Sequence, residues 1–84
     1  MRIPVQRSKK QKEIMSYILK GMDAGTPETY ESLAAKLSYG PSYDALRVSI
    51  AFLKKHSMVE VRRVGHVAEL LPTSESYYYF RKLT

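Results

Sequence analysis

Glu31-Ser32-Leu33-Ala34-Ala35-Lys36-Leu37, then Ser38-Tyr39-Gly40-Pro41, then Ser42-Tyr43-Asp44-Ala45-Leu46-Arg47-Val48-Ser49-Ile50-Ala51-Phe52-Leu53-Lys54-Lys55 is the stretch on which the fold turns. Over residues 31–38, Leu33, Ala34 and Leu37 recur at helical spacing, and the small Ala34 and Ala35 permit close approach of a second helix. Gly40-Pro41 interrupts the pattern. Ser42 is a good N-cap, and Asp44 in the first turn suits the positive end of a helix dipole. Leu46, Ile50 and Leu53 are spaced four and three apart, so a helix over 43–56 turns them to a core. Tyr43, Arg47, Val48, Ala51, Lys54 and Lys55 lie away from that stripe. Beyond it, Val59–Val64 and Val67–Leu71 are β-rich runs joined by Gly65-His66, which predicts a hairpin with glycine at the first central position of a type II′ turn. That register places Val64 opposite Val67, Arg63 opposite Ala68, Arg62 opposite Glu69 and Val61 opposite Leu70. Val59, Val61 and Leu70 then face the helices, and Arg62 and Glu69 form an exposed cross-strand ion pair worth about a few tenths of a kcal/mol.

Upstream, residues 9–24 carry Ile14, Met15, Ile18, Leu19 and Met22 as one apolar stripe, which predicts a leading helix. Ser8 is its candidate N-cap, Gly21 weakens it, and Gly25 with Pro27 ends it. Residues 1–8 read as an extended arm, because Pro4 blocks an early helix. Thr29 and Tyr30 form a short strand or an extended lead-in. Downstream, Pro72-Thr73-Ser74 breaks the ribbon. Ser74 and Glu75 start a short helix over 75–83, although the Tyr77-Tyr78-Tyr79-Phe80 run is equally β-prone. The chain thus divides into a basic arm (1–8), a central domain (9–72) and a C-terminal segment (73–84).

Eighty-four residues make one domain; a chain of this size buries only about 60–65% of its unfolded surface, so its core must be local or shared with a second subunit. The absence of cysteine excludes disulfides and thiolate metal sites and fits a reducing compartment. With two histidines and scattered acids, no metal centre or cofactor is expected. No phosphate-binding glycine loop or serine–histidine pairing suggests an enzyme. No apolar run reaches the length of a membrane span, and none follows the basic start as a secretory signal would require. A cytoplasmic, nucleoid-associated protein is the expectation. The formal net charge of +6, from 14 basic and 8 acidic residues, favours a polyanionic partner.

A leading helix, a helix, a tight turn, a second helix and a two-stranded ribbon, in that order, is the plan of a winged helix-turn-helix. The expected class is therefore α+β, with a three-helix core, a two-stranded β wing and a short C-terminal helix. Leu33-Ala34-Ala35-Lys36-Leu37, the Ser42 to Lys55 segment and Met58-Val59-Glu60-Val61 resemble the winged-helix repressors, and most nearly the DNA-binding domain of the LexA family. That family also has a leading helix like Lys12-Glu13-Ile14-Met15-Ser16-Tyr17-Ile18. The resemblance spans residues 9–72. Nothing in the chain resembles that family's self-cleaving protease half. The chain departs from the pattern at the glycine usual before the wing, which is Ser57 here.

On this plan the second helix of the pair enters the major groove, where its N-terminal half reads base edges. Ser42, Tyr43, Asp44, Arg47 and Val48 are the candidates. Arg47 can pair bidentately with guanine, Ser42 and Tyr43 can meet phosphates or sugar, and Asp44 can accept from cytosine or simply stabilise the helix start. Arg62, Arg63 and His66 lie on or near the wing tip, where backbone or minor groove attracts cations. Arg63 is the stronger candidate, since Arg62 is engaged by Glu69. Arg2, Arg7, Lys9, Lys10 and Lys12, with no acid before Glu13, form a basic patch suited to phosphates, and Lys36 can add to it. The aromatic run could stack on single-stranded nucleic acid. A core or subunit-interface role fits better, and Tyr77, Tyr78, Phe80 and Leu83 are the expected dimer contacts.

The leading expectation is a sequence-specific regulator of prokaryotic, phage, plasmid or archaeal-virus type, acting as a repressor-like homodimer on double-stranded DNA, without membrane or metal. A centromere-binding or replication-initiation factor is the second reading. A winged helix used only for protein contacts is the third, against which the basic arm and Arg47 and Arg63 argue.

Overall fold

A computed structural model describes residues 9–81 of the chain. Helix α1 (Lys9–Ala24) is followed by a two-residue strand β1 (Glu28–Thr29), helix α2 (Tyr30–Lys36), helix α3 (Tyr43–Lys55), strands β2 (Val59–Val64) and β3 (Val67–Pro72), and a terminal helix α4 that begins as an α-turn over Ser74–Ser76 and widens into a π-turn over Tyr77–Arg81. The class is α+β. The sheet has three antiparallel strands in the order β1-β3-β2, one more than the expected ribbon. Thr29, read as strand or lead-in, pairs with Glu69, and Glu28 with Leu70. The hairpin register agrees with expectation at all four residue pairs and continues through Glu60–Leu71 and Val59–Pro72. Gly65, at φ +63°, takes the turn conformation that opened the type II′ reading. Pro72 can end β3 without breaking the ladder. In a two-residue hairpin every second pair is hydrogen-bonded, starting at Val64–Val67, so the nitrogen of residue 72 faces away from β2, beyond the end of β1.

The helices cover one face of the sheet. Ile14, Met15, Ile18 and Leu19 of α1, Leu33 and Leu37 from the α2 region, Leu46, Ile50 and Leu53 of α3, and Met58, Val59, Leu70 and Phe80 form one buried core. Met22 does not join its stripe; it lies two turns past Met15 and is 43% exposed. Gly21 does more than weaken α1. A Cβ there would sit 2.9 Å from the Thr26 carbonyl oxygen and 3.3 Å from the Glu28 nitrogen, so glycine lets β1 pass directly against the helix.

Each junction is held by specific caps. Thr29 and Ser32 form a reciprocal capping box on α2: Ser32 N–H donates to Thr29 Oγ1 (3.1 Å) and Thr29 N–H to Ser32 Oγ (2.8 Å). This moves the start of α2 to Tyr30, and the helix stops at Lys36 rather than Ser38. Thr73 and Ser76 repeat the motif on α4, so Thr73, not Ser74, is the cap. The Thr73 hydroxyl also donates to the Ser57 carbonyl (2.7 Å). Helix α3 closes in a Schellman turn, with Met58 N–H bonded to Leu53 O (2.9 Å) and Ser57 N–H to Lys54 O (3.0 Å). Ser57 sits at φ +63°, the left-handed conformation that favours glycine, so the turn before the ribbon is tight. The α4 segment settles the helix-or-strand alternative as helical. Phe80 is 7% exposed and meets Tyr79 edge-to-face, so it belongs to the domain's own core and is spent as a dimer contact. Leu83 lies outside the described residues, as do Arg2, Arg7 and Ser8.

Candidate nucleic-acid interface

Two elements build the exposed basic face, α3 and the inner side of β2. Helix α3 starts at Ser42, whose Oγ accepts from Ala45 N–H at 3.1 Å and so acts as the expected cap. At about 100° per residue, the buried Leu46–Ile50–Leu53 stripe leaves Asp44, Val48 and Lys55 on the opposite side of the helix. All three are exposed, Val48 by 71%, the highest value among the large apolar side chains of the described residues. Arg47, Tyr43 and Lys54 lie between these two stripes, on the flank toward the ribbon, and are exposed too.

The alternation of β2 separates its two arginines. Val59 and Val61 turn toward the helices, and Arg63 shares their face; Arg62 and Glu60 are on the other. Arg62 is held by Glu69, with Nε and Nη2 donating to Oε1 at 3.0 and 2.6 Å, as its register required. Arg63 instead opens onto a cleft between α3 and the ribbon. The cleft encloses about 620 Å³ and is lined by Arg47, Lys54 and Arg63 together with Tyr30, Val48 and Val61 among others; no acidic side chain lines it. Arg47, Lys54 and Arg63 pair with no carboxylate among the described residues. Three guanidinium or ammonium groups around one cleft with no counter-charge repel one another, and such an arrangement is relieved by a bound anion.

Arg47 is held in place. Its guanidinium carbon lies 5.3 Å from the Tyr30 ring centroid and 5.6 Å from that of Tyr43, and the two rings are 5.9 Å apart. Cation–π attraction to both rings restricts its rotamers while its nitrogens stay exposed. Tyr30 contributes here although nothing in its local sequence marks it, because the capping box that starts α2 aims it across at α3. Lys54 could have been found from spacing alone, since it lies seven residues beyond Arg47 on the same face.

Other expected contacts divide. Lys9, Lys10 and Lys12 are exposed on the first turns of α1. That end of α1 docks on the α2–α3 turn: Glu13 accepts from Ser38 N–H (2.6 Å) and Ser38 Oγ (2.7 Å), and Lys10 Nζ lies 5.1 Å from the Tyr39 ring centroid. The two Ser38 hydrogen bonds hold the Glu13 carboxyl below its ordinary pKa. Partial burial, and then the Glu13 charge, push the Tyr39 phenol up. His66 is exposed at the hairpin tip, between the exposed Val64 and Val67. Lys36 is committed elsewhere: its Nζ is 2.6 Å from Oε2 of Glu28, a carboxylate only 4% exposed whose Oε1 accepts from Ser32 Oγ. Removing that ammonium would leave a buried charge, so Lys36 is a partner of Glu28 before it is anything else. Of the aromatic run, Tyr77 and Tyr79 pack against the core and Tyr77 Oη donates to Asp23 (3.1 Å), whereas Tyr78 is 66% exposed.

No family model and no curated protein matches the chain. Among solved structures it is similar to AF1382 from Archaeoglobus fulgidus, with a TM-score of 0.80 and 17% identity, covering 90% of this chain and 81% of that one. At that identity the likeness carries the fold alone. Among the described residues no helix is long and apolar enough to cross a membrane.

Proposed function

We propose that the chain is a winged helix-turn-helix protein that binds double-stranded DNA, with α2 and α3 as the helix-turn-helix and the β2–β3 hairpin as the wing. The observation that carries this reading is the acid-free cleft between α3 and β2, where Arg47, Lys54 and Arg63 converge. With α3 in a major groove and the hairpin at the adjacent minor groove, one DNA strand runs between them. The cleft is where its phosphates would lie. Arg63 and Lys54 then neutralise backbone charge, and Arg47, already fixed on Tyr30 and Tyr43, reaches a guanine edge with little rotamer entropy left to lose. Ser42 and Tyr43 flank the same groove, and Lys9, Lys10 and Lys12 add long-range attraction. Arg62, tied to Glu69 on the outer side of the wing, contributes little.

The chain acts in this reading as a binding protein, not an enzyme, and its task is transcriptional regulation as a repressor-like homodimer. A second subunit doubles a short reading surface and makes the target palindromic. With Phe80 in the core, the subunit contact falls to Tyr78 and Met22, both exposed, on helices α4 and α1, which pack together. The test is anisotropy with labelled duplexes at low salt. Wild type binds every duplex, with some sequences preferred. Arg63→Ala weakens all of them alike, Arg47→Ala loses the preference, and Arg62→Ala changes little. A wild-type chain that binds no duplex at low salt refutes the proposal.

A further inference from the structure

We infer that Val48, flanked by Ala45 and Ala51, reads the 5-methyl group of a pyrimidine, so that each half-site contains a thymine or a 5-methylcytosine beside the guanine met by Arg47. The inference rests on the DNA reading and deepens it. It starts from a large apolar side chain that the fold leaves mostly in water. Val48 lies opposite the core stripe of α3 and is 71% exposed, in the middle of the helix that carries the basic flank. A β-branched residue there has low helix propensity and leaves most of its apolar surface in water. Ala45 and Ala51, one turn to either side, are exposed as well, and Phe52, one turn on, is 38% exposed with its ring against His56. Together they make a small apolar centre, with Arg47 and Lys54 on the ribbon side and Lys55 beyond.

The small side chains at 45 and 51 flank Val48 where the helix approaches the floor of the groove. The apolar chemistry that the major groove offers at that depth is the C5-methyl of thymine, or the same methyl on a modified cytosine. A charged or amide residue at position 48 would read hydrogen-bonding edges; valine cannot. Arg47 is adjacent in sequence and about 100° around the helix, so the two side chains reach neighbouring base pairs.

Full-length protein is first used to select sites from a random duplex library. Each thymine of the selected site is then replaced in turn by uracil, which lacks only the methyl group, and each cytosine by 5-methylcytosine. Replacing the contacted thymine of one half-site should weaken wild-type binding by about four-fold, the worth of one buried methyl. Val48→Ala, which folds normally because the position is exposed, should bind the thymine and uracil duplexes equally. If the methyl belongs to cytosine, 5-methylation at one position strengthens wild type by a similar factor and leaves Val48→Ala unmoved. Indifference of wild type to every uracil and every 5-methylcytosine overturns the inference while DNA binding stands. So does a Val48→Ala protein that keeps the wild-type ratio. Selection of no duplex at all would overturn the DNA reading, and this inference with it.

Discussion

Where α1, β1 and α2 meet, ionic groups are matched: Lys36 sits on Glu28, Ser32 on the same carboxylate, and Ser38 on Glu13. Where α3 faces the ribbon, Arg47, Lys54 and Arg63 share one cleft with no acid lining it. The first region carries its charges as part of the fold. The second leaves three cations around one cleft without a counter-charge, where their mutual repulsion opposes the fold and does not support it. The contrast separates residues that should affect stability from residues that should affect binding.

The largest effect should come from the matched side. Gly21→Ala puts a methyl 2.9 Å from a backbone oxygen, and overpacking of this kind costs about 2–3 kcal/mol. Urea unfolding should show that loss, with unchanged DNA affinity per folded molecule. Next, Arg47→Ala should cost about 1–3 kcal/mol on a preferred duplex and leave the melting temperature nearly unchanged. A variant that lost both together would erase the distinction between the two regions. Lys36→Met removes the partner of a nearly buried carboxylate; since the lysine is half exposed, a loss of about 1–2 kcal/mol in stability is expected, with DNA affinity intact. If affinity fell instead, Lys36 would belong to the interface. Ser57→Gly should raise stability by about 1 kcal/mol, because the left-handed backbone is strained for serine and not for glycine.

The smallest effect is a matter of pH. The Glu13 carboxyl is held below its ordinary value of 4.5 by the Ser38 bonds. A depressed carboxylate stabilises the fold fully above its unfolded pKa, and that contribution is lost as pH falls through the lower folded value. Wild type should therefore be more stable than Glu13→Ala at neutral pH, with the gap closing below about pH 4.5. A gap that persisted at pH 2 would mean that the charge on Glu13 is not what Ser38 binds.

Much of the α3–ribbon half was legible in the sequence. The spacing of Leu46, Ile50 and Leu53, the Ser42 cap and the Gly65-His66 turn are local signals, and the register of the hairpin followed from its loop length. Helix α1 was legible too, with its bounds at Lys9 and Ala24 and its buried stripe; what packs against it was not. A helical glycine reads as a weak point until the strand crossing it is known, so the second role of Gly21 stayed hidden. Glu28 gave no hint of burial because its partners lie four and eight residues away. Both capping boxes have serine at the third position instead of glutamate, which hid the Thr29 and Thr73 starts. Phe80 read as surplus apolar surface because nothing local tells a core aromatic from an interface one. At the candidate site, Arg47 and Arg63 were legible from position alone, whereas Tyr30 came from tertiary packing and Lys36 was lost to a partner that only the fold supplies.

If the cations of α3 and β2 that lack a carboxylate partner among the described residues serve the phosphates of duplex DNA, binding must respond to salt. Anisotropy titrations of the full chain against one duplex, from low to moderate salt, should give a log–log slope of about −4 to −5 per subunit, the release expected when roughly four to six phosphates are neutralised. Arg63→Ala should make the slope shallower by about one. Binding that does not change with salt, or no duplex binding even at the lowest salt, would contradict the account.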